Sequence, residues 1–203
     1  MLGTLFLVCC AILMGSIPTG VVVSRLLTGR DVRELGSGNF GAANVARTAG
    51  MKVGLLVALI DILKGVVPVM LGRWIGLDHA RLALVAVAAV LGHDFSMFLR
   101  LRGGKGVATT VGIALALAPP AALLTSVTWI VVILTFGYSS LASLVSLALL
   151  PLYLAIAGQP PAYVLAAVAL FLVGAGKHWE NIIRLAHGKE SKFRSVPQPP
   201  RGV

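Results

Sequence analysis

At 203 residues and 21.1 kDa the chain has the length of one soluble domain, yet 58% of it is hydrophobic, only 12% is charged and its mean hydropathy is +0.94. Soluble domains carry roughly 25% charged residues, so a water-facing surface is excluded and the chain reads as an integral membrane protein. Its 17 Lys and Arg against 7 Asp and Glu leave a formal charge of +10, a surplus that serves either as a topology signal or as a site for anions.

The first apolar run covers residues 2–24 and holds Cys9 and Cys10, adjacent and without a partner elsewhere. Neighbours do not form an ordinary disulfide, and with no His or carboxylate nearby they read as packing or lipid-facing thiols. The first cation is Arg25, so the basic lead of a cleaved signal peptide is missing and the run is expected to stay as a span. Further runs lie at 53–72, 82–99, 107–118, 121–136, 139–157 and 162–176. As one helix, the roughly 30 residues from 107 to 136 would reach ~45 Å, too long for a hydrocarbon core of ~30 Å. Pro119-Pro120 divides that stretch, and two short or tilted helices fit better. The expected fold is therefore an all-α integral membrane protein with seven transmembrane helices.

Seven spans put the termini on opposite sides. Fourteen cations, from Arg25 and Arg47 through Lys105 to Lys177 and beyond, then share one side, with Arg73 and Arg81 opposite and Lys64 inside the second span. Cytoplasmic loops carry the excess of Lys and Arg, which predicts the N-terminus outside and the C-terminus cytoplasmic. Merging 107–136 would spoil the asymmetry. Residues 1–194 read as one transmembrane domain, and the Pro-rich tail at 195–203 is expected to be disordered.

Three segments on the predicted cytoplasmic side carry the polar chemistry. The first runs from Glu34 to Arg47. Gly36, Gly38 and Gly41 match G-x-G-x-x-G, but a dinucleotide site needs a preceding strand and here a membrane span precedes. Glycines still let a backbone approach an anion and turn its N–H groups toward it. Ser37, Asn39 and Asn44 add neutral hydrogen-bonding groups, and Arg47 adds a fork suited to phosphate. In the second segment Gly103, Gly104, Lys105 and Gly106 resemble a phosphate loop without being a Walker A, because Gly106 stands where Ser or Thr would bind magnesium. This basic glycine turn opens the fourth span, so a helix N-terminus adds its positive end to Lys105. His93 and Asp94 sit near the end of the third span, where ionisable residues are functional hypotheses. In the third segment His178, Asn181 and Arg184 recur every three residues, so a helix sets them along one face; the bland alternative is an amphipathic helix on lipid headgroups. Asp61 and Lys64, at i and i+3 inside the second span, read as a structural ion pair or as support for the site.

Metal chemistry is disfavoured, since the few acids are scattered and no H-E-x-x-H occurs. No G-x-S-x-G elbow is present, nor the H-x-x-x-x-D pair of the common thioester-dependent glycerolipid acyltransferases. Cations, glycine-rich backbone and amides with few acids suit binding phosphate more than generating a nucleophile.

The motifs Gly36-Ser-Gly-Asn-Phe-Gly-Ala-Ala-Asn44, Gly92-His-Asp-Phe with Gly103-Gly-Lys-Gly-Val-Ala-Thr109, and His178 with Asn181-Ile-Ile-Arg-Leu and Gly188-Lys-Glu190 resemble those of the bacterial acyl-phosphate:glycerol-3-phosphate acyltransferase family. The likeness runs from about Gly15 to Glu190 and includes Asp61-Ile-Leu-Lys-Gly65. It implies a seven-helix enzyme of the bacterial inner membrane, its active site open to the cytoplasm. The reaction implied moves an acyl chain from acyl phosphate to the 1-hydroxyl of glycerol 3-phosphate, giving lysophosphatidic acid and phosphate, the first acylation of phospholipid synthesis. Position by position, Ser37, Lys105, His178 and Asn181 carry over as catalytic. Gly36, Gly38, Asn39, Asn44, Arg47, His93, Gly103, Gly104, Gly106, Arg184 and Glu190 carry over as substrate-binding. The resemblance implies no metal and no cofactor, and as partners the two substrates and membrane lipid, with no nucleic acid. Two departures stand out: Ala43 replaces a usual Thr, and Trp179 a usual basic residue.

Acyl phosphate is an activated mixed anhydride whose leaving group needs no acid. Catalysis then rests on holding two dianions together and stabilising the developing oxyanion. Arg47 and Lys105 are the expected phosphate grips, and His178 is the best side-chain base by type, with a substrate phosphate oxygen as the other choice. Glu190 is open to orienting Arg184 or contacting glycerol hydroxyls. The rival from another class is a carrier for phosphate or glycerol 3-phosphate, which wants its polar residues near the midplane. A basic scaffold docked on anionic lipid needs no glycines.

Overall fold

The structure, a computed structural model, describes residues 1–193; the tail expected to be disordered, 195–203, lies outside the described residues. The apolar sequence leaves the backbone few partners but itself, and helices satisfy it segment by segment. The chain runs α1 Leu2–Ser16, α2 Thr19–Thr28, α3 Ala42–Ala49, α4 Met51–Trp74, α5 His79–Asp94, α6 Val107–Leu117, α7 Pro119–Phe136, α8 Ser139–Ile156, α9 Pro161–Lys177 and α10 Trp179–Ala186.

Two features differ from the sequence expectation. The first run, read as one span over 2–24, is broken at Ile17-Pro18. Proline lacks an N–H and drives its predecessor out of the helical region, and Ile17 has ψ 119°. The freed Ile17 carbonyl accepts from the Thr19 N–H at 2.9 Å and from the Lys64 ammonium at 2.6 Å. Second, the glycine motif is loop only as far as Gly41. The following Ala-Ala-Asn-Val-Ala run, made largely of good helix formers, winds into α3 and places Arg47 in its last turn.

Helix pairs pack through small residues. A Cβ on Gly15 would meet the Ala89 carbonyl and one on Gly92 the Ile12 carbonyl, joining α1 to α5 from both sides. Gly65 and Gly112 do the same for α4 and α6, meeting Thr109 and Ile62 carbonyls. Small residues that allow such approach are the usual means of helix association in lipid, where burial of apolar surface gives little drive. Leu82, Ala114, Ala121, Leu150 and Tyr163 form a core among α5 to α9. Phe6, Leu59, Ile130, Leu134 and Leu165 stand exposed on the outside, a surface suited to lipid tails.

By length and composition, five helical stretches among the described residues can cross a membrane: Leu2–Thr28, α4, His79–Leu99, α7 and α8. Helices α9 and α10, bent by 64°, make a sixth if counted together. With 11 residues, α6 rises only ~16 Å.

The close contact at Gly65 yields a test. Gly65→Val inserts bulk against a backbone carbonyl that cannot yield and is expected to destabilise by about 1–3 kcal/mol. Gly3→Ala, where nothing lies within 4 Å, leaves stability unchanged. Thermal unfolding of both variants in detergent measures the difference.

Candidate active site

The polar segments meet at one end of the bundle, where α5 and α9 end and α6 and α8 begin. Each is built by its own local chemistry. At the entry to the first loop Asp31 accepts from the Arg33 N–H at 3.0 Å and from the Arg25 guanidinium at 2.6 Å. The bonds from Arg33, against the cost of burial, hold the Asp31 carboxyl well below the usual carboxylate range. Asn44, buried on α3, braces the loop. Its Oδ1 accepts from the Ser37 N–H at 2.9 Å, and its Nδ2 donates to the carbonyls of Leu35 at 3.0 Å and Asn39 at 2.8 Å. Asn39 Oδ1 accepts from the Gly41 N–H at 2.7 Å. Gly36 lies over the Asn44 amide, where a Cβ would collide. Asn44 thus shapes the loop from within, and Ser37 is left exposed at its tip.

The second loop folds back on the end of α5. The Gly104 N–H donates to the His93 carbonyl at 2.9 Å, and a Cβ on Gly104 would land on the His93 ring. Gly106 starts α6 in the left-handed region at φ +66°, a conformation that side chains resist. It packs beside the Asp94 carboxyl, which is fully buried and makes no hydrogen bond. Lys177 donates to the Asp94 main-chain carbonyl at 2.7 Å and covers the Phe95 ring at 4.9 Å, tying α9 to this turn.

The third segment closes the cluster. His178 Nδ1 lies 2.8 Å from the Gly174 carbonyl. A carbonyl only accepts, so Nδ1 carries the proton and Nε2 keeps a lone pair. The Lys105 ammonium donates to Asn181 Oδ1. Asn181 Nδ2 donates to Glu190 Oε1 at 2.6 Å, Ser140 Oγ donates to the same oxygen at 2.7 Å, and Arg184 Nε donates to Oε2 at 2.7 Å.

Besides Ser37, the sequence-derived residues therefore fall into four groups. Lys105, Asn181, Arg184 and Glu190 form one connected cluster, with His178 on the turn before Asn181. Arg47 is half-buried, its Nε has no hydrogen-bond partner, and it stands in the field of Glu190. Gly38, Asn39 and Gly103 line a separate cavity of about 390 Å³, together with Phe40, Arg33 and Arg102. Gly36, Asn44, His93, Gly104 and Gly106 shape and seat the two loops. Ser140 escaped the sequence reading: it is one serine among several in an apolar run, 50 residues from the carboxylate it meets, and no local signal marks it. Among the described residues no three of His, Cys, Asp or Glu converge to hold a metal ion.

The electrostatics follow from burial among cations. Burial pushes Lys105 down to about 8, opposed by Glu190 and assisted by Arg184. Burial likewise lowers Arg47 from the ordinary arginine range, and Glu190 opposes it. For Glu190 burial acts upward, but the bonds from Arg184, Ser140 and Asn181 outweigh it and leave the carboxyl below its ordinary value.

Fold and site together define a helical membrane protein that gathers cations, amides and glycine turns at one end of its bundle, a class fitted to phosphate-bearing substrates. The family model for glycerol-3-phosphate acyltransferase matches residues 5–188. The chain is 48% identical over 180 residues to the glycerol-3-phosphate acyltransferase of Rubrobacter xylanophilus, covering 89% of this chain and 90% of that one. It is 44% identical over 195 residues to that of Trichlorobacter lovleyi, covering 96% and 100%. Among solved structures it superposes on PlsY, an integral membrane glycerol 3-phosphate acyltransferase, in its glycerol 3-phosphate form. The TM-score is 0.90 at 40% identity, over 94% of this chain and 96% of that one. The lysophosphatidic acid form of PlsY matches with a TM-score of 0.86 at 38% identity. The chain belongs to the glycerol-3-phosphate acyltransferase family.

Lys105 sets a pH dependence. With its amine at about 8, the charged form prevails below that pH and is lost above it. The kcat/KM for glycerol 3-phosphate is expected to halve by about pH 8 and to fall about tenfold per unit well above it. Lys105→Arg, whose guanidinium stays charged, should abolish the break. Initial rates across this range check both, and a break retained in the variant assigns it to another group.

Proposed function

We propose that this protein transfers an acyl chain from acyl phosphate to the 1-hydroxyl of glycerol 3-phosphate, releasing lysophosphatidic acid and phosphate, at the cytoplasmic face of the bacterial inner membrane. The observation that carries the reading is the bond from Lys105 to Asn181 and on to Glu190, which unites the second and third motifs with Arg47 of the first in its field. Two dianions need cations and N–H donors, and this end of the bundle supplies both. The mixed anhydride breaks as the glycerol oxygen attacks the acyl carbon, and the electron pair leaves with phosphate, an anion stable enough to need no acid.

In this reading Lys105 and Arg47 grip phosphate, Asn181 and Ser37 donate to substrate oxygens, and Gly103, Gly104 and Gly106 allow close approach at the start of α6. Gly38 and Asn39 face substrate from the neighbouring cavity, and Gly36 and Asn44 hold that loop in shape. Glu190 orients Arg184 and Asn181. His178 Nε2 is the side-chain acceptor for the hydroxyl proton, with a glycerol 3-phosphate oxygen as the other acceptor.

The topology proposed has seven crossings, N-terminus outside and C-terminus cytoplasmic. Short α6 serves as the seventh: Arg73, at the far end of α4, donates to the Ala116 carbonyl at 2.7 Å. That bond satisfies one of the last carbonyls of a helix that ends early.

The full chain, purified in detergent and given palmitoyl phosphate and glycerol 3-phosphate, should form lysophosphatidic acid and phosphate in equal amounts. Failure to form it, with glycerol 3-phosphate instead crossing liposomes that hold the protein, establishes the carrier. Lys105→Ala is expected to lower kcat/KM by about a hundredfold or more. His178→Gln decides the proton acceptor: a fall of about a hundredfold in kcat keeps the imidazole, and near-wild-type turnover transfers the role to the substrate phosphate.

A further inference from the structure

Beneath the two glycine loops lies a set of charges that substrate need not touch. Asp61 and Lys64, one turn apart on α4, are 1% and 4% exposed, and His93 on α5 is 4% exposed. Lys64 donates to Asp61 Oδ1 at 2.7 Å and to the Ile17 carbonyl at 2.6 Å, so one ammonium answers both the carboxylate and the break in the first span. His93 Nδ1 stands 3.7 Å from the same Asp61 oxygen and has no hydrogen bond of its own.

The other side of that ring carries the loops. Gly104 sits against Nε2 so closely that a Cβ would overlap it, and the Gly104 N–H is bonded to the His93 carbonyl. The Phe40 ring of the first loop packs on the His93 ring with centroids 5.8 Å apart and a tilt of 59°. Phe40 is itself seated by Gly20, where a Cβ would collide with its carbonyl. His93 thus touches the residue next to Lys105 and the residue next to Asn39.

Charged groups buried in a membrane bundle are costly, and a buried pair is often no more stable than apolar residues of the same size. Stability is therefore a weak reason for this one. Its geometry supplies a better reason: a fixed negative charge facing Nδ1 orders the imidazole that seats both loops.

We infer that Asp61, Lys64 and His93 act as a pillar that positions Lys105 and the first glycine loop for acyl transfer, His93 seating the loops rather than binding substrate. The proposal rests on the acyl-transfer reading above. It makes the three positioning residues: misplacing Lys105 weakens its hold on the transition state, and proximity effects lose about a hundredfold for a displacement of about 1 Å.

The test uses the full chain in detergent. Asp61→Asn keeps the volume and is expected to lower kcat about tenfold or more, with KM for glycerol 3-phosphate within about threefold of wild type. His93→Ala should do the same. Asp61→Leu combined with Lys64→Met removes the pair without stranding a charge, leaves the Ile17 carbonyl its bond from Thr19 and, once shown to be folded, is expected to show the same kcat loss; it carries the test if Asp61→Asn does not fold. Lysines bearing ¹³C-methyl groups, with the Lys105 resonance assigned through Lys105→Arg, report the position of that amine without turnover. Its resonance is expected to move in each folded variant.

Wild-type kcat and an unmoved Lys105 resonance in the folded double variant and in His93→Ala overturn the pillar. So does a rise in KM at unchanged kcat for His93→Ala, which makes His93 a substrate contact. If the wild type forms no lysophosphatidic acid, the acyl-transfer reading fails, while the resonance still shows whether the charges beneath the loops place Lys105.

Discussion

The polar end of this molecule is organised around a single carboxylate. Glu190 accepts from Ser140 at the start of α8, Asn181 on α10 and Arg184 one turn further along. Asn181 gives one of its two Nδ2 protons to Glu190, which turns its oxygen toward Lys105. One anion thus fixes the amide orientation that fixes the lysine. Charge-assisted bonds of this kind are roughly twice as strong as neutral ones, and here they join helices whose apolar faces would otherwise slide on each other with little to choose between positions. Glu190 also tempers the repulsion among Lys105, Arg184 and Arg47, which makes so dense a group of cations tolerable before any phosphate arrives.

Lipid sets the terms for the rest. It offers no hydrogen bonds, so each break in a helix needs a partner from the protein. The break at Pro18 receives Lys64, and the early end of α6 receives Arg73. Long basic side chains suit this work because they reach a carbonyl several ångströms from their own helix. The same lack of hydrophobic drive between helices explains the paired glycines of α1 with α5 and α4 with α6. Those two contacts position the end of α5 and the start of α6 against one another, and the Gly103–Gly106 turn lies between them. The packing that holds the bundle is thereby also the packing that places the site.

Much of this was legible in the sequence, and the parts that were not share a cause. Long apolar runs predicted α4, α5 and α7 to α9 to within a few residues, because hydropathy over such lengths reflects the solvent directly. Pro119-Pro120 divided α6 from α7 as expected. The break at Pro18 was missed because no charge interrupts the run from Leu2 to Ser24, although Gly15-Ser16-Ile17-Pro18-Thr19-Gly20 carries breaker residues; Lys64, 47 positions away, shows why a kink there is tolerated. The motifs identified Lys105, Asn181, Arg184 and Glu190 without showing that they bond to one another. His93 and Asn44, carried over as substrate-binding, make their structural contacts with the loops, the ring of one against Gly104 and the amide of the other across three residues of the first loop. Spacing along a chain reveals which residues share a loop, not which way a side chain turns once the loop closes.

The charge surplus takes on a more definite meaning in this light. An acyl transfer from a mixed anhydride needs no strong base or acid at the leaving group, and the scarcity of acids near Lys105 is what that chemistry permits. A site with several carboxylates would repel a phosphate-bearing substrate; a site with none would leave Lys105, Arg184 and Arg47 to repel one another. With exposed Glu180 3.6 Å from Arg184 at the rim, Glu190, bonded on both oxygens, does most to satisfy the two demands. It is spent on orientation, leaves the net field positive, and lets burial bring Lys105 near the point where it can still hold its proton. The excess of cations over acids, which first marked an anionic partner, is therefore bounded from both sides: large enough at this end to favour an anionic substrate, and held in place by Glu190.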